Sequence, residues 1–354
     1  MANGNTTPSR AGQSHTINAN GTFNAAGDAN ALFLKVFSNE ILTTFDEVNI
    51  MKDLHTVRSI SSGKSAQFPV SGVASAKYHT PGESIIDGAN SYLSTIRHNE
   101  KVINIDDMLV SSTFIANIDE VKSHYSVRSI YAKEIGKALA KRFDLAIMKT
   151  WVAAARTSTP NVTGGNAGTS VNTGNGLNSA AELIDALFGM AQSLDEKDVP
   201  NDGQRFAVLT PAQYYTLLTT DNIAVNRDVD GIGSVSKGTV PMVAGIKLFK
   251  SQHLADLVTS LSTGSGTPGV EANQDQDDDN SANDVFGGSG TGYNGDLSDV
   301  GLIGGHPAAV GTVKLLDLAT EEDYSVSHQG TLFVAKYALG HGILRPECAV
   351  EYRL

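Results

Sequence analysis

Between Ile118 and Arg156 the chain runs for 39 residues without a proline and with one glycine, Gly136. Asn117 suits an N-cap, Asp119 and Glu120 fall in the first turn, and Lys149 and Arg156 lie near the far end, as a helix dipole prefers. Val127, Tyr131, Ile135, Leu139, Phe143, Ile147 and Trp151 recur at every fourth position. At 3.6 residues per turn such a row drifts by about 40° per step, so the apolar stripe winds around the helix. A continuous helix here is about 58 Å long, well beyond the ~30 Å width of a small domain. The sequence therefore predicts a spine running through a large or elongated fold.

The rest of the chain alternates between apolar runs and polar, glycine-rich stretches. Residues 1–30 are rich in Asn, Gly, Ala, Thr and Ser and read as an arm without its own core. Ala31 to Phe37 (ALFLKVF) is a short apolar anchor. From about Met51 to Asp106, Val57, Ile60, Phe68, Val70 and Tyr78 are broken by SSGK, SG and TPGE, and an extended run from Tyr92 to Ile105 follows. That punctuation reads as a β-hairpin excursion with too little apolar content to fold alone. Burying Val57, Ile60, Phe68 and Val70 against another chain is its expected source of stability. Residues 157–178 are a low-complexity polar linker. Ser179-x-x-Glu182 is a capping box opening a helix, Arg205–Leu209 reads as a strand, and Thr210-Pro211 starts a short helix. Val243–Lys250, Val310–Leu318, Thr331–Ala338 and Ala349–Leu354 read as extended. Helices and strands mixed without a βαβ rhythm place the chain in the α+β class.

The formal charge is −12, from 26 basic and 38 acidic residues. Ser251 to Val313 contains no Lys or Arg but nine acids and 12 of the 35 glycines. The remaining chain is close to neutral. Nothing in this balance provides the clustered cations that grip phosphate, so sequence-independent nucleic-acid binding through overall charge is not expected. Residues 260–298 read as a long solvent-exposed acidic insertion. The single cysteine, Cys348, rules out an internal disulfide framework. No run of 18 apolar residues occurs and MANGNTTPSR lacks the apolar stretch of a signal peptide, so a soluble chain made in a reducing compartment is expected, with no membrane partner.

No catalytic pattern emerges. Gly63-Lys64-Ser65 matches the end of a phosphate-binding loop, but Arg58 stands where the first glycine is needed and Pro69 follows where a helix should begin. Two G-x-G-x-x-G matches, at Gly264 and Gly290, lie inside the glycine-rich insertion without a strand–helix context. Asp275-x-Asp277-x-Asp279 opens like a calcium loop, but Asn280 and Phe286 occupy the positions that require glycine and glutamate. The nine histidines are scattered, and His341 reads as a buried turn residue. The basic residues of the long helix (Lys122, Arg128, Lys133, Lys137, Lys141, Arg142, Lys149, Arg156) read as a solvated face or as intersubunit ion-pair partners. Neither an enzyme nor a cofactor-binding protein is indicated, and a secreted glycine-rich surface protein would need an export signal.

ALFLKVF at 31–37, VRSISSGKSAQFPV at 57–70, EKVINIDDML at 100–109, HYSVRSIY at 124–131, VGTVKLLDLA at 310–319 and AKYALGHGILRPE at 335–347 together resemble the major capsid proteins of short-tailed phages related to coliphage T-seven, which have the Hong Kong 97-type capsid fold. The resemblance implies an N-terminal arm (1–50), an extended loop (51–106) lying across a neighbouring subunit, a peripheral domain (107–156 and 307–354) with the spine helix, and an axial domain (157–306). It also implies hexamers and pentamers of this chain enclosing double-stranded DNA without sequence-specific contact, a scaffolding protein during assembly, a portal at one vertex, assembly in the host cytoplasm, and no enzyme activity. Subunit contacts are then expected at Val57, Arg58, Ile60, Lys64, Phe68, Val70, Lys77, Glu83, Arg97, Glu100, Arg128, Arg142, Arg345 and Glu347. The acidic insertion departs from the family pattern and is expected on the particle's outer face or near an axial-domain tip, keeping particles apart by charge.

Overall fold

A computed structural model describes residues 44, 49–72, 74–86, 92–94, 96–116, 118, 127–162, 165–174, 177–219, 242–261, 283, 285, 286, 293, 297 and 299–354. The arm and the anchor at 31–37, together with Asn117, Asp119 and Glu120, lie outside them. In chain order the elements are β1 (Thr56–Ser59), β2 (Ser65–Ser71), β3 (His98–Asn104), β4 (Leu109–Ala116), α1 (Val127–Arg156), β5 (Thr169–Asn172), α2 (Ala180–Glu196), β6 (Phe206–Leu209), α3 (Pro211–Thr219), β7 (Met242–Val243), β8 (Ile246–Lys250), α4 (Gln252–Leu261), β9 (Val300–Gly305), β10 (Val310–Ser325), β11 (Gly330–Ile343) and β12 (Ala349–Arg353). The chain clusters into two compact units. One draws on residues up to Asn49, Asp107–Asp144 and Leu316–Leu339, the other on Ile50–Asp106, Leu145–Leu315 and Gly340–Leu354.

The second unit is built on a six-stranded sheet in the order β5-β12-β9-β6-β8-β7. Its centre is β6, where Phe206, Ala207, Val208 and Leu209 are all fully buried, as a continuous apolar run in a central strand requires. β6 runs parallel to β8 and antiparallel to β9, and β12 joins β9 antiparallel and β5 parallel. The predicted capping box forms: Ser179 Oγ accepts from the Glu182 N–H and Glu182 Oε2 from the Ser179 N–H, both at 3.2 Å. Thr210 and Gln213 close a similar reciprocal pair at the start of α3. These bonds satisfy orphan helix donors, so both helices begin where the sequence indicates.

The described helix α1 has 30 residues, about 45 Å at 1.5 Å per residue. In the first unit its buried side chains include the apolar Ala132, Ile135, Leu139, Ala140 and Phe143 and the charged Asp144. Phe143 meets Tyr337 edge to face at 6.4 Å, and the Tyr337 hydroxyl donates to the Leu139 carbonyl at 3.4 Å. There β11 pairs antiparallel with β4, Gly330 opposite Ala116 and Tyr337 opposite Leu109. In the second unit the helix is buried all round from Ile147 to Ala155, including Lys149 and Thr150. A helix apolar on every side belongs in a core. Trp151 is its anchor, packed edge to face on Phe206 at 4.9 Å and donating from Nε1 to the Gly304 carbonyl at 3.0 Å.

Three readings of the sequence change here. Arg156 and Lys149 do not belong to a solvated face. Lys149 is buried, and Arg156 pairs within its own unit with Glu351 at 2.6 Å and Asp299 at 2.8 Å. His341 is buried in strand β11 rather than in a turn. The acidic insertion is not solvent-exposed throughout, because Asn283, Tyr293 and Leu297 are buried.

Candidate functional site

The hairpin of β2 and β3 holds six of the fourteen residues singled out from the sequence: Phe68, Val70, Lys77, Glu83, Arg97 and Glu100. Its strands pair from Ser65 opposite Asn104 to Ser71 opposite His98. Alternation along β2 turns Ala66 fully inward and Phe68 and Val70 partly so. Ala66 and Ile103 join Val313 and Leu344 in a small core, with Ile60, Phe68 and Ile105 packed against it. The hairpin root is therefore stabilised within its own chain. This corrects the expectation that Ile60 and Phe68 are buried only by a neighbour; the sequence could not show that β10 and the end of β11 supply the partner surface.

Val57 and Arg58 belong to β1, which pairs parallel with β10 outside the hairpin, Val57 opposite Thr312 and Arg58 opposite Val313. Val57 stays exposed, while Arg58 donates to the Gln67 carbonyl at 2.5 Å and stacks over the Phe68 ring at 5.7 Å. The Lys64 carbonyl accepts from the Ile105 N–H at 2.9 Å, and the Arg97 carbonyl from the Gly72 N–H at 2.7 Å. Glu100 accepts from Gln67 Nε2 at 3.3 Å, and Lys77 is exposed. Arg142 is half-buried on α1, and Arg128 occupies the first turn of the same helix.

Beyond β2 the described residues of the hairpin form no apolar core and are tied by polar bonds. Glu83 accepts from the Tyr92 hydroxyl at 2.5 Å, the Thr80 N–H donates to the same hydroxyl at 3.1 Å, and the Ser75 N–H donates to Ser94 Oγ at 2.8 Å. Its large apolar side chains point outward: Tyr78 is 102% exposed, Ile86 72%, and Ile85, Leu93 and Ile96 about half. A cluster of this size marks a surface made to be covered.

Val70, Arg345 and Glu347 come together at a cavity of about 330 Å³ that is also lined by Gly72, Val162, Lys197 and Cys348. It offers no nucleophile. Burial, reinforced by Glu347, pushes the Cys348 thiol up to about 12, and burial lowers the Lys197 ammonium below its ordinary value. Lys197 is instead committed to the Ala167 carbonyl at 2.6 Å and Thr169 Oγ1 at 2.5 Å. Among the described residues no group of three His, Cys, Asp or Glu is placed to hold a metal, and no helix is long and apolar enough to cross a membrane.

Sequence reasoning missed two charged and polar assemblies. One is Arg156, Asp299, Glu351 and Arg353 around the end of α1 and strand β12. The other is Asn283 and Tyr293 at the hairpin root. Their members lie up to 195 residues apart, so no local spacing reveals them.

Compared with known proteins, this arrangement of helix and sheet is that of phage capsid proteins. The mature capsid protein of bacteriophage PhiM1 superimposes with a TM-score of 0.64 at 18% identity, over 93% of this chain and 94% of that one, which establishes the fold. The capsid of cyanophage P-SCSP1u matches with a TM-score of 0.68 and 36% identity over 99% of both chains. Residues 67–353 match the Gp10A-like family, described as major capsid protein, and the chain belongs to that family. The major capsid protein of Escherichia phage T7 is 35% identical over 341 residues, covering 92% of each chain. The protein is thus a structural component of a phage virion that associates with itself into a shell, and it is not an enzyme.

Proposed function

We propose that the chain forms hexamers and pentamers of an icosahedral head enclosing double-stranded DNA, with residues 51–106 lying across the adjacent subunit. In this reading 1–50 is an arm, 107–156 and 307–354 form the peripheral domain with α1 as its spine, and 157–306 form the axial domain. Scaffolding protein guides assembly in the host cytoplasm, a portal occupies one vertex, and the genome is held without sequence-specific contact. The observation that carries the hairpin's role is the set of large apolar side chains on its distal part, Tyr78, Ile85, Ile86, Leu93 and Ile96. Val57, Lys77, Glu83, Arg97 and Glu100 flank that set as interface residues, and Arg128, Arg142, Arg345 and Glu347 complete the proposed contacts. A repeating heterologous contact of this kind closes rings.

The test follows from exposure. Ile85→Asp with Ile86→Asp places two charges where nothing of the subunit itself is buried, so the unfolding free energy should stay within about 0.5 kcal/mol of the wild type. Shell formation, followed by sedimentation and electron microscopy, should be lost. Normal shells from this variant would remove the hairpin from the principal contacts. Phe68 is unsuitable for the same test, since its ring packs on the subunit's own core.

A further inference from the structure

The end of β3 is held from one side by β2 and from the other by residues of the acidic, glycine-rich segment. Asn283 presents its side-chain amide to Asn104 as a strand would: Oδ1 accepts from the Asn104 N–H at 2.9 Å, and Nδ2 donates to the Asn104 carbonyl at 2.8 Å. The same Nδ2 lies 3.0 Å from Asp106 Oδ1. The Tyr293 hydroxyl donates to the other carboxylate oxygen, Asp106 Oδ2, at 2.6 Å. It also accepts from the His341 N–H at 2.9 Å and lies 3.3 Å from the His341 carbonyl. Both oxygens of Asp106 are thus engaged by side chains ten positions apart. Leu297 is fully buried, and the Tyr293 ring lies against the His341 ring at 5.9 Å.

These bonds fall at the base of the hairpin, at the end of β3 and the last residue of the second unit before Asp107. Unpaired edge groups at the end of a strand normally bond water or another strand. Here a side-chain amide covers them, which removes the alternative pairings at the base of the hairpin. We propose that Asn283 and Tyr293 are positioning residues for assembly: by gripping Asn104 and Asp106 they fix the angle at which the hairpin projects toward the neighbouring subunit, and so the geometry of the shell. This rests on the hairpin being the intersubunit contact proposed above. It also changes the role of the acidic segment, which contributes directly to the hairpin's setting in addition to any charge it displays.

The experiment uses full-length Asn283→Ala and Tyr293→Phe beside the wild type. Amide exchange in peptides covering residues 98–106 is measured on unassembled subunits, and particle yield and diameter are measured by sedimentation and electron microscopy. The expected result is exchange at Asn104 and its neighbours about tenfold faster, with exchange elsewhere and the unfolding midpoint little changed, and particles that are fewer and heterogeneous in diameter. A merely structural role would lower the midpoint without altering diameter. Unchanged exchange in both variants overturns the proposal, as does faster exchange with shells of wild-type yield and diameter. Tyr293→Phe keeps the ring in place and decides the matter if Asn283→Ala fails to fold. A wild-type subunit that forms no shells even with its scaffolding protein supplied refutes the capsid arrangement proposed above, and the exchange result still decides the clamp.

Discussion

Glu351→Ala should destabilise the subunit by about 3–5 kcal/mol at pH 7, the usual cost of removing one partner from a buried ion pair. Glu351 is fully buried on β12. Its carboxylate accepts from Arg156 Nε at 2.8 Å and Nη2 at 2.6 Å, and from Ser170 Oγ at 3.0 Å. Asp299 takes the other side of the Arg156 guanidinium at 2.8 Å and accepts from Arg353 Nε at 2.5 Å. The four side chains carry two positive and two negative charges. Burial opposes the charged form of Arg156, yet Glu351 and Asp299 together outweigh it and raise the guanidinium further above its ordinary value. Burial likewise works against the Asp299 carboxylate, but the Arg353 hydrogen bond and the Arg156 charge hold it below the usual range. Without Glu351 the group is left with an uncompensated positive charge and an unpartnered Ser170 contact. Arg156 retains 21% side-chain exposure, so water relieves part of the penalty and the lower end of the range is expected. Urea unfolding of the two proteins measures the difference. The double replacement Arg156→Leu with Glu351→Leu should recover most of the loss, because the pair costs much to desolvate and removing both ends removes that cost. A single variant within about 1 kcal/mol of the wild type would mean that the cluster is hydrated and contributes little.

Much of the fold was legible because it rests on local rules. The capping box at Ser179 and Glu182 needs only residues three apart, and the apolar run of β6 needs only its own four side chains. The i, i+4 row of α1 survives from Ile135 to Trp151 for the same reason. What the sequence concealed is non-local. Val57 and Arg58 looked like part of the hairpin because they are adjacent to it, but their backbone pairs with β10, some 250 residues away. Ile60 and Phe68 looked unpartnered because Val313 and Leu344 lie at the other end of the chain. The distal hairpin was legible only in part: of the apolar residues the sequence singled out, Tyr78 is left uncovered there, whereas Ile85, Ile86, Leu93 and Ile96 were not singled out and make up the rest of the exposed set.

The acidic segment shows where composition misleads. Seven acids without a base between residues 260 and 298 describe its average character and argue for solvent. Asn283, Tyr293 and Leu297 are exceptions to that average, and a buried Tyr or Asn needs its polar atoms satisfied. Gly340 shows how closely the hairpin root is packed: a Cβ there would lie 1.8 Å from the Asn104 carbonyl oxygen, a backbone atom with no rotamer to yield. Gly340→Ala should therefore cost about 1–3 kcal/mol by overpacking, read as a lowered urea midpoint. A neutral result would mean that β11 and β3 separate easily.

Acid should weaken the subunit well before its carboxylates titrate, because of His341. The imidazole is buried in β11, its Nδ1 shares a hydrogen bond of 2.8 Å with Thr312 Oγ1, and the Tyr293 ring covers it. Burial, with a smaller contribution from nearby His55, pushes its pKa down to about 3. In the unfolded chain the same group titrates near ~6.5. Between those values the unfolded state binds one proton more than the folded state, so stability rises with pH across the window and falls as pH is lowered through it. The slope is about 1.4 kcal/mol per pH unit, giving a loss of about 2 kcal/mol at pH 5 and about 4–5 kcal/mol at pH 3. Asp299 adds a loss of the same sign only below ~4, since its folded value is depressed from an ordinary carboxylate. Urea unfolding from pH 7.5 to 4.5 therefore isolates the histidine. His341→Asn keeps a polar group beside Thr312 and takes up no proton, so whatever its midpoint at pH 7.5, its stability should be nearly flat over that range. A variant with the wild-type slope would assign the acid sensitivity to other groups and place water beside the His341 ring.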